Sequence, residues 1–131
     1  MNISAAARLS GLTTKALRYY ESSGLVVPGR CANGYRDYND ADLEALHFIR
    51  RARNAGFSVD EVSGLLALHR NPRRRSREAR AMVEGKLAQL DEQIDQLREM
   101  RTTLQGLAQD CPGDDSPECS ILAGLAAPVA R

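Results

Sequence analysis

A regular seam of aliphatic side chains between residues 76 and 108 restricts the possible folds more than any other feature. Its members are Val83, Leu87, Leu90, Ile94, Leu97 and, one heptad later, Leu104. Their spacing alternates between four and three residues, which is the heptad pattern of a coiled-coil helix. A helix over this segment is about 50 Å long at 1.5 Å per residue, and the residues before it are too few to cover its seam. We therefore expect the seam to pair with a second copy of the chain.

The first 25 residues have the pattern of two short helices joined by a tight turn. Ser4 and Thr13 are of the types that accept hydrogen bonds at helix N-termini. Gly11 can adopt the left-handed conformation that such a turn requires, and Leu17 provides an apolar position on the second helix. Together these features predict a helix-turn-helix.

A small hairpin and two further helices are predicted after it. Asn33-Gly34 is a strong hairpin-turn signal, so residues 35–38 are expected to form the return strand of a wing. Asn39 is the expected N-cap of a third helix, and Ser58 with Glu61 forms a capping box for a fourth. The resulting fold class is mainly α, with a winged helix-turn-helix head, a long dimerisation helix and a short C-terminal loop.

Charge is distributed unevenly along the chain. Residues 1–75 contain 12 Lys and Arg against 7 Asp and Glu, whereas residues 76–131 contain 6 against 10. A basic head favours a polyanionic partner such as duplex DNA. No catalytic sequence motif, secretory signal or membrane-length apolar run is evident. We therefore expect a cytoplasmic protein that is not an enzyme and has no membrane partner.

The second predicted helix presents Lys15, Arg18 and Tyr19 within about one turn. A helix of this kind can enter the major groove, where Arg and Lys reach guanine edges or phosphates and Tyr reaches phosphates. The alternative is an ordinary solvated helix face. Cationic residues on separate elements of the same small head, in the predicted wing and third helix, favour DNA binding.

Two of the three cysteines are separated by only seven residues. Cys111 and Cys119 enclose a loop rich in Pro, Gly and Asp, while Cys31 lies beside the wing turn and has no expected function. Two thiolates suit a soft ion such as Cu(I), whereas structural zinc normally takes four ligands. Unconnected thiols or a redox disulfide remain alternatives from the residues alone.

The head resembles that of the MerR family of bacterial regulators, and the long helix and cysteine loop resemble its copper-efflux (CueR-type) members. The motifs that carry the resemblance are Gly11-Leu12-Thr13, Leu17-Arg18-Tyr19-Tyr20-Glu21, Gly24-Leu25-Val26, Asn33-Gly34-Tyr35-Arg36-Asp37-Tyr38, Ala55-Gly56-Phe57-Ser58, and the loop from Cys111 to Cys119. The similarity extends over about residues 1–122.

The resemblance implies a homodimer held by an antiparallel coiled coil and bound to promoter DNA together with RNA polymerase. The implied dimerisation residues are Leu87, Leu90, Ile94 and Leu97, and the implied DNA-binding residues are Thr13, Lys15, Arg18, Tyr19, Arg36, Tyr38 and Arg53. The implied domains are a DNA-binding head at 1–70, a hinge and dimerisation helix at 71–109, and a metal-binding loop, short helix and tail at 110–131.

The resemblance also implies one Cu(I) per subunit, or Ag(I) or Au(I), bound by Cys111 and Cys119. Family members that sense divalent ions have a cysteine at the position of Ser76, so the serine implies selectivity for a monovalent ion. Metal binding would then distort promoter DNA and activate copper-efflux genes. The alternatives are a thiol-redox regulator of the same architecture and, in another class, a cytosolic carrier of metals or thiols.

Overall fold

The computed structural model describes residues 1–128, and within them the fold is mainly helical, as predicted. The helices are α1 (Ile3–Ser10), α2 (Thr14–Ser22), α3 (Asp40–Asn54), α4 (Val59–His69), α5 (Ser76–Asp110) and α6 (Ser120–Ala126). None of the helices in these 128 residues combines the length and apolar character that crossing a membrane requires. The last three residues of the expected tail, 129–131, lie outside the described residues.

The helix-turn-helix is confirmed, with one change at its start. The side chain of Asn2, rather than that of Ser4, accepts a hydrogen bond from Ala5 N–H at 2.8 Å, so α1 begins at Ile3. Gly11 ends α1 in the left-handed conformation with φ of 71°. The Thr13 hydroxyl then accepts from Ala16 N–H at 3.0 Å and starts α2.

The predicted wing is a two-stranded antiparallel hairpin. Strand β1 (Gly29–Arg30) pairs with β2 (Arg36–Asp37), so the ladder is shorter than the four-residue return strand expected. Gly34 has φ of 85° in the connecting turn, a conformation that glycine adopts at little cost. Asn39 starts α3 as its predicted N-cap and forms a capping box there, and the predicted capping box at Ser58 starts α4.

Residues from all four head helices and the wing form one apolar core. Its buried members are Ala6, Ala7, Leu17, Tyr20, Leu25, Val26, Tyr38, Ala45, Leu46, Ile49, Phe57, Val62 and Leu66. Leu46 and Ile49, three positions apart on one face of α3, are fully buried in this core. The core fixes the orientation of α2, and therefore of the side chains that α2 presents to solvent.

The chain divides into two compact units, Met1–Lys86 and the residues from Leu87 onward. The first unit extends beyond the head expected at 1–70 because the start of α5 contacts α4. Lys86 is buried, lies over the Phe57 ring at 5.6 Å and donates a hydrogen bond to Glu61 at 2.7 Å. No residue pattern indicated this ion pair, since a lysine beside a heptad seam is ordinarily solvated.

The Glu61–Lys86 pair makes stability depend on pH in the acid range. Hydrogen bonds from Lys86 and from the Ser58 backbone lower the pKa of Glu61 from 4.5 to about 2. A carboxyl group whose pKa is lower in the folded state stabilises the fold fully at a pH above its pKa in the unfolded state. This stability is lost as pH falls to its pKa in the folded state. We expect the difference in melting temperature between wild type and Glu61→Gln to be constant above pH 5 and to vanish near pH 2. A difference that persists unchanged to pH 2 would exclude this role of the ion pair.

Most of the seam on α5 is exposed in the single chain. Val83, Leu87, Ile94 and Leu97 are 45, 53, 44 and 62% exposed. Soluble proteins rarely leave such a continuous apolar strip in water. The exposure therefore agrees with the prediction that a second copy covers the seam.

Candidate DNA-binding surface and metal-binding loop

Helix α2 divides cleanly into a buried and an exposed face. Leu17 and Tyr20 are buried, whereas Lys15, Arg18 and Tyr19 are exposed. The three residues predicted to meet DNA therefore share the solvent side of the second helix of the helix-turn-helix. This is the helix that enters the major groove in such folds.

Glu21, at the end of α2, holds both strands of the wing. Its carboxylate accepts hydrogen bonds from Arg30 on β1, at 2.6 Å, and from Arg36 on β2. Only 16% of the Glu21 side chain is exposed, and its hydrogen bond raises the pKa of Arg36. Arg36 therefore links the wing to α2, in addition to any contact with DNA. This role of Glu21 was not predicted, because its only signal in the sequence is an acidic residue in a helix with an otherwise basic face.

Tyr38 does not lie on the surface where a wing contact was expected. Its side chain is 1% exposed, and its buried hydroxyl has no hydrogen-bond partner among residues 1–128. Burial raises the pKa of Tyr38. The reason is its position directly before Asn39, where the chain leaves the wing for α3 and carries the ring into the core. Tyr38 is therefore not part of the DNA-binding surface in this conformation.

Replacing Tyr38 with phenylalanine distinguishes a core role from a DNA contact. Tyr38→Phe removes a buried hydroxyl without a partner, so the free energy of unfolding is expected to stay constant or rise by about 1 kcal/mol. DNA affinity is expected to change by less than about twofold, below the cost of a lost hydrogen bond. Chemical denaturation and fluorescence anisotropy with labelled duplex measure the two quantities. A tenfold loss of affinity with unchanged stability would restore Tyr38 to the DNA-binding surface.

Two other residues that were predicted to contact DNA already have structural roles. Thr13 is the N-cap of α2, and Arg53 donates a hydrogen bond to the Phe57 carbonyl at 3.0 Å. Both residues are exposed, so part of each side chain faces solvent. Their contacts with DNA stay predictions.

The C-terminal loop brings its two thiols together. The Sγ atoms of Cys111 and Cys119 are 3.8 Å apart, and both residues are partly buried. This separation is too long for a disulfide bond of about 2.05 Å and short enough for one ion to contact both sulfurs. Helix α6 closes the loop by packing against the end of α5, since a Cβ at Gly124 would lie 3.3 Å from a methyl of Leu107.

One of the two thiols lies in an environment that favours its ionised form. Cys119 is the N-cap residue of α6. The Leu122 backbone N–H makes the largest contribution that lowers the pKa of Cys119, and Cys111 and the Ile121 N–H add to it. Thiolate, not thiol, is the form that binds metal. The loop is therefore arranged to supply a thiolate.

Within the described residues, this loop provides two sulfur donors and no larger cluster of metal ligands. Residues 1–128 contain no cluster of three or more His, Cys, Asp or Glu side chains suited to a metal ion. Ser76, the predicted selectivity residue, is the exposed first residue of α5 and belongs to the unit that ends at Lys86. The two cysteines belong to the other unit.

Comparison with protein families identifies the head and most of the long helix. The family described as "MerR HTH family regulatory protein" matches residues 1–68, and the one described as "MerR, DNA binding" matches residues 43–107. The chain belongs to the MerR family. This MerR-family protein is thus a DNA-binding transcription regulator, and the predictions of a helix-turn-helix head and a long helix are confirmed.

Individual relatives match almost the whole length of this MerR-family chain. A "Probable heavy metal-dependent transcriptional regulator" of Haemophilus influenzae is 50% identical over 95% of this chain and 98% of its own. The transcriptional regulator CueR of Yersinia pestis is 45% identical over 96% of this chain and 91% of its own. A solved structure of a lead(II)-bound regulator from Ralstonia metallidurans is 32% identical, covers 96% of this chain and 99% of its own, and has a TM-score of 0.85.

Proposed function

We propose that this chain is a homodimeric activator that senses Cu(I), or the related ions Ag(I) and Au(I), and switches on copper-efflux genes. The observation that carries the proposal is the pair of thiols 3.8 Å apart on a loop that supplies no further ligand from the described chain. A soft monovalent ion accepts two sulfur donors. Zinc normally requires four ligands.

The type of relative supports a metal signal without specifying the ion. The Haemophilus influenzae relative is named for heavy metals, the Yersinia pestis relative is a CueR, and the Ralstonia metallidurans structure contains divalent lead. A common fold therefore serves different ions. In this chain the resemblance favours the monovalent class, because Ser76 stands at the position where divalent-ion sensors of the family have a cysteine.

Dimerisation rests on α5. The exposed seam from Val83 to Leu104 needs a partner, and charge favours an antiparallel arrangement of two such helices. The segment at the start of α5 contains Arg73, Arg74, Arg75 and Arg77, whereas Asp110, Asp114, Asp115 and Glu118 lie at and beyond its end. A parallel pair would place like charges together, and an antiparallel pair avoids this repulsion.

The proposed DNA contacts come from side chains of α2 and from the wing beside it. Lys15, Arg18 and Tyr19 would enter the major groove, while Glu21 holds the wing at a fixed angle to them. Two heads in a dimer would grip two half-sites of one promoter. Metal binding would change the dimer and distort the DNA between the half-sites, so that RNA polymerase can use the promoter.

In vitro transcription with purified polymerase tests the proposal. With reduced protein and the promoter of a copper-efflux gene from the source genome, Cu(I) and Ag(I) are expected to raise transcript levels, whereas Zn(II) is not. The physical reason is that two sulfurs satisfy a soft monovalent ion but not zinc. Activation by an oxidant in the presence of a copper chelator would favour the thiol-redox alternative. Absence of promoter binding would favour the carrier.

A further inference from the structure

The guanidinium group of Arg50, on α3, lies over the turn of the helix-turn-helix. A Cβ added at Gly11 would be 2.6 Å from Arg50 Nη1, 2.8 Å from Cζ and 3.3 Å from Nε. Because three atoms of the guanidinium group lie close to this Cβ position, the whole group covers the turn, and not only one terminal nitrogen. Gly11 thus serves two purposes here, since its φ of 71° also favours glycine.

Arg50 has a charge that the fold does not neutralise. It is exposed, and within residues 1–128 it makes no hydrogen bond or ion pair. By contrast, Arg30 and Arg36 share the Glu21 carboxylate, and Arg53 donates to the Phe57 carbonyl. An exposed guanidinium without a counter-ion is suited to an external anion, to which it can donate several hydrogen bonds.

The position of the turn indicates which anion this is. In a helix-turn-helix the N-terminal residues of the second helix reach base edges, while the first helix crosses the DNA backbone. The turn between α1 and α2 therefore lies where the groove meets the phosphates. We propose that Arg50 is a further DNA-binding residue, which contacts a backbone phosphate beside the turn; this rests on the proposed binding of promoter DNA.

A purely structural role is the competing explanation for the same geometry. Gly11 is the C-cap of α1, and a cation near the C-terminus of a helix interacts favourably with the helix dipole. In that case Arg50 would stabilise the free protein and leave phosphate contacts unchanged. The two roles differ in salt dependence, because each phosphate contact releases counter-ions from DNA.

The experiment compares Arg50→Gln with Arg51→Gln, its neighbour on α3. Arg51 is also exposed, but it lines the groove between α3 and α4 together with Glu44 and Leu66. The probe is a labelled duplex that the wild-type protein selects from a random pool, and affinity is measured by fluorescence anisotropy at a series of KCl concentrations. Both variants lose one positive charge per subunit, so the control corrects for net charge. Thermal unfolding of each free protein accompanies the titrations.

Affinity falls as salt rises, and we expect Arg50→Gln to reduce the magnitude of the slope of log affinity against log salt. The expected reduction is about 1.8 per dimer, for two phosphates at about 0.9 each. Arg51→Gln is expected to leave the slope unchanged. Arg50→Lys retains the charge and is expected to keep the wild-type slope. An unchanged slope for Arg50→Gln, or a reduced slope for Arg50→Lys, would overturn the proposal. A wild-type protein that binds no duplex would instead contradict the proposed function itself.

Discussion

Ile94→Asp is expected to raise the dimer dissociation constant at least a hundredfold and to abolish promoter binding with it. Ile94 lies near the middle of the seam and is 44% exposed in the single chain, so a partner must cover it. A carboxylate buried there without a counter-charge costs about 3–5 kcal/mol, and a cost of 1.4 kcal/mol is already tenfold in affinity. Sedimentation equilibrium measures the dissociation constant, and anisotropy with duplex measures the binding.

Gln96→Asp is the matched control for this variant. Gln96 is an exposed residue of the same helix, two positions from Ile94 and outside the seam. The variant introduces the same charge as Ile94→Asp. Because this charge lies outside the seam, the dimer is expected to stay intact. A wild-type protein that sediments as a monomer at micromolar concentration, or an Ile94→Asp protein that remains as dimeric as Gln96→Asp, would contradict the proposed coiled coil.

Changing either loop cysteine to serine is expected to reduce Cu(I)-dependent transcription to the uninduced level. A serine hydroxyl has the size of a thiol but is a hard donor that stays protonated, so the ion would keep only one sulfur. The head does not include Cys111 or Cys119, and promoter affinity without metal is therefore expected to remain at the wild-type level. In vitro transcription and anisotropy on the same preparations separate the two effects.

Cys31→Ser provides the control for chemistry at a thiol elsewhere in the chain. Cys31 is an exposed free cysteine in the wing turn, and its replacement is expected to leave the Cu(I) response unchanged. If Cys111→Ser or Cys119→Ser retained the response, or if Cys31→Ser lost it, the metal would have to bind elsewhere.

Local sequence signals predicted most of the helices because each end depends on nearby residues. Thr13, Asn39 and Ser58 all cap the helices that they were expected to start. The start of α1 differed because Asn2 and Ser4 are both good caps and only the backbone conformation decides between them. The heptad seam was equally predictable, since its periodicity belongs to one helix and requires no knowledge of the rest of the fold.

Contacts between distant residues could not be predicted in this way. The Glu21 link to Arg30 and Arg36 joins elements 9 and 15 residues apart, and the Glu61–Lys86 pair spans 25 residues. The resemblance implied that Tyr38 contacts DNA from the wing, yet the core encloses it. Whether a polar side chain at the end of a short strand faces water or the core depends on tertiary packing. An alternating pattern over only two residues does not reveal this.

The candidate metal site was predictable in its residues but not in its surroundings. The short spacing of Cys111 and Cys119 indicated that one loop carries both thiols, and the structure places them 3.8 Å apart. The sequence predicted a short helix near Ser120 but did not establish that Cys119 is its N-cap or that backbone N–H groups lower the pKa of its thiol. These features depend on the exact residue at which α6 begins.

X-ray absorption at the copper edge of reduced, Cu(I)-loaded dimer tests the central claim most directly. The account predicts one copper per subunit with two sulfur neighbours and no others, because Cys111 and Cys119 are the only donors proposed. The double variant Cys111→Ser/Cys119→Ser, measured alongside, is expected to retain no copper after desalting. Three or four sulfur or nitrogen neighbours in the wild-type spectrum, or copper retained by the double variant, would contradict it.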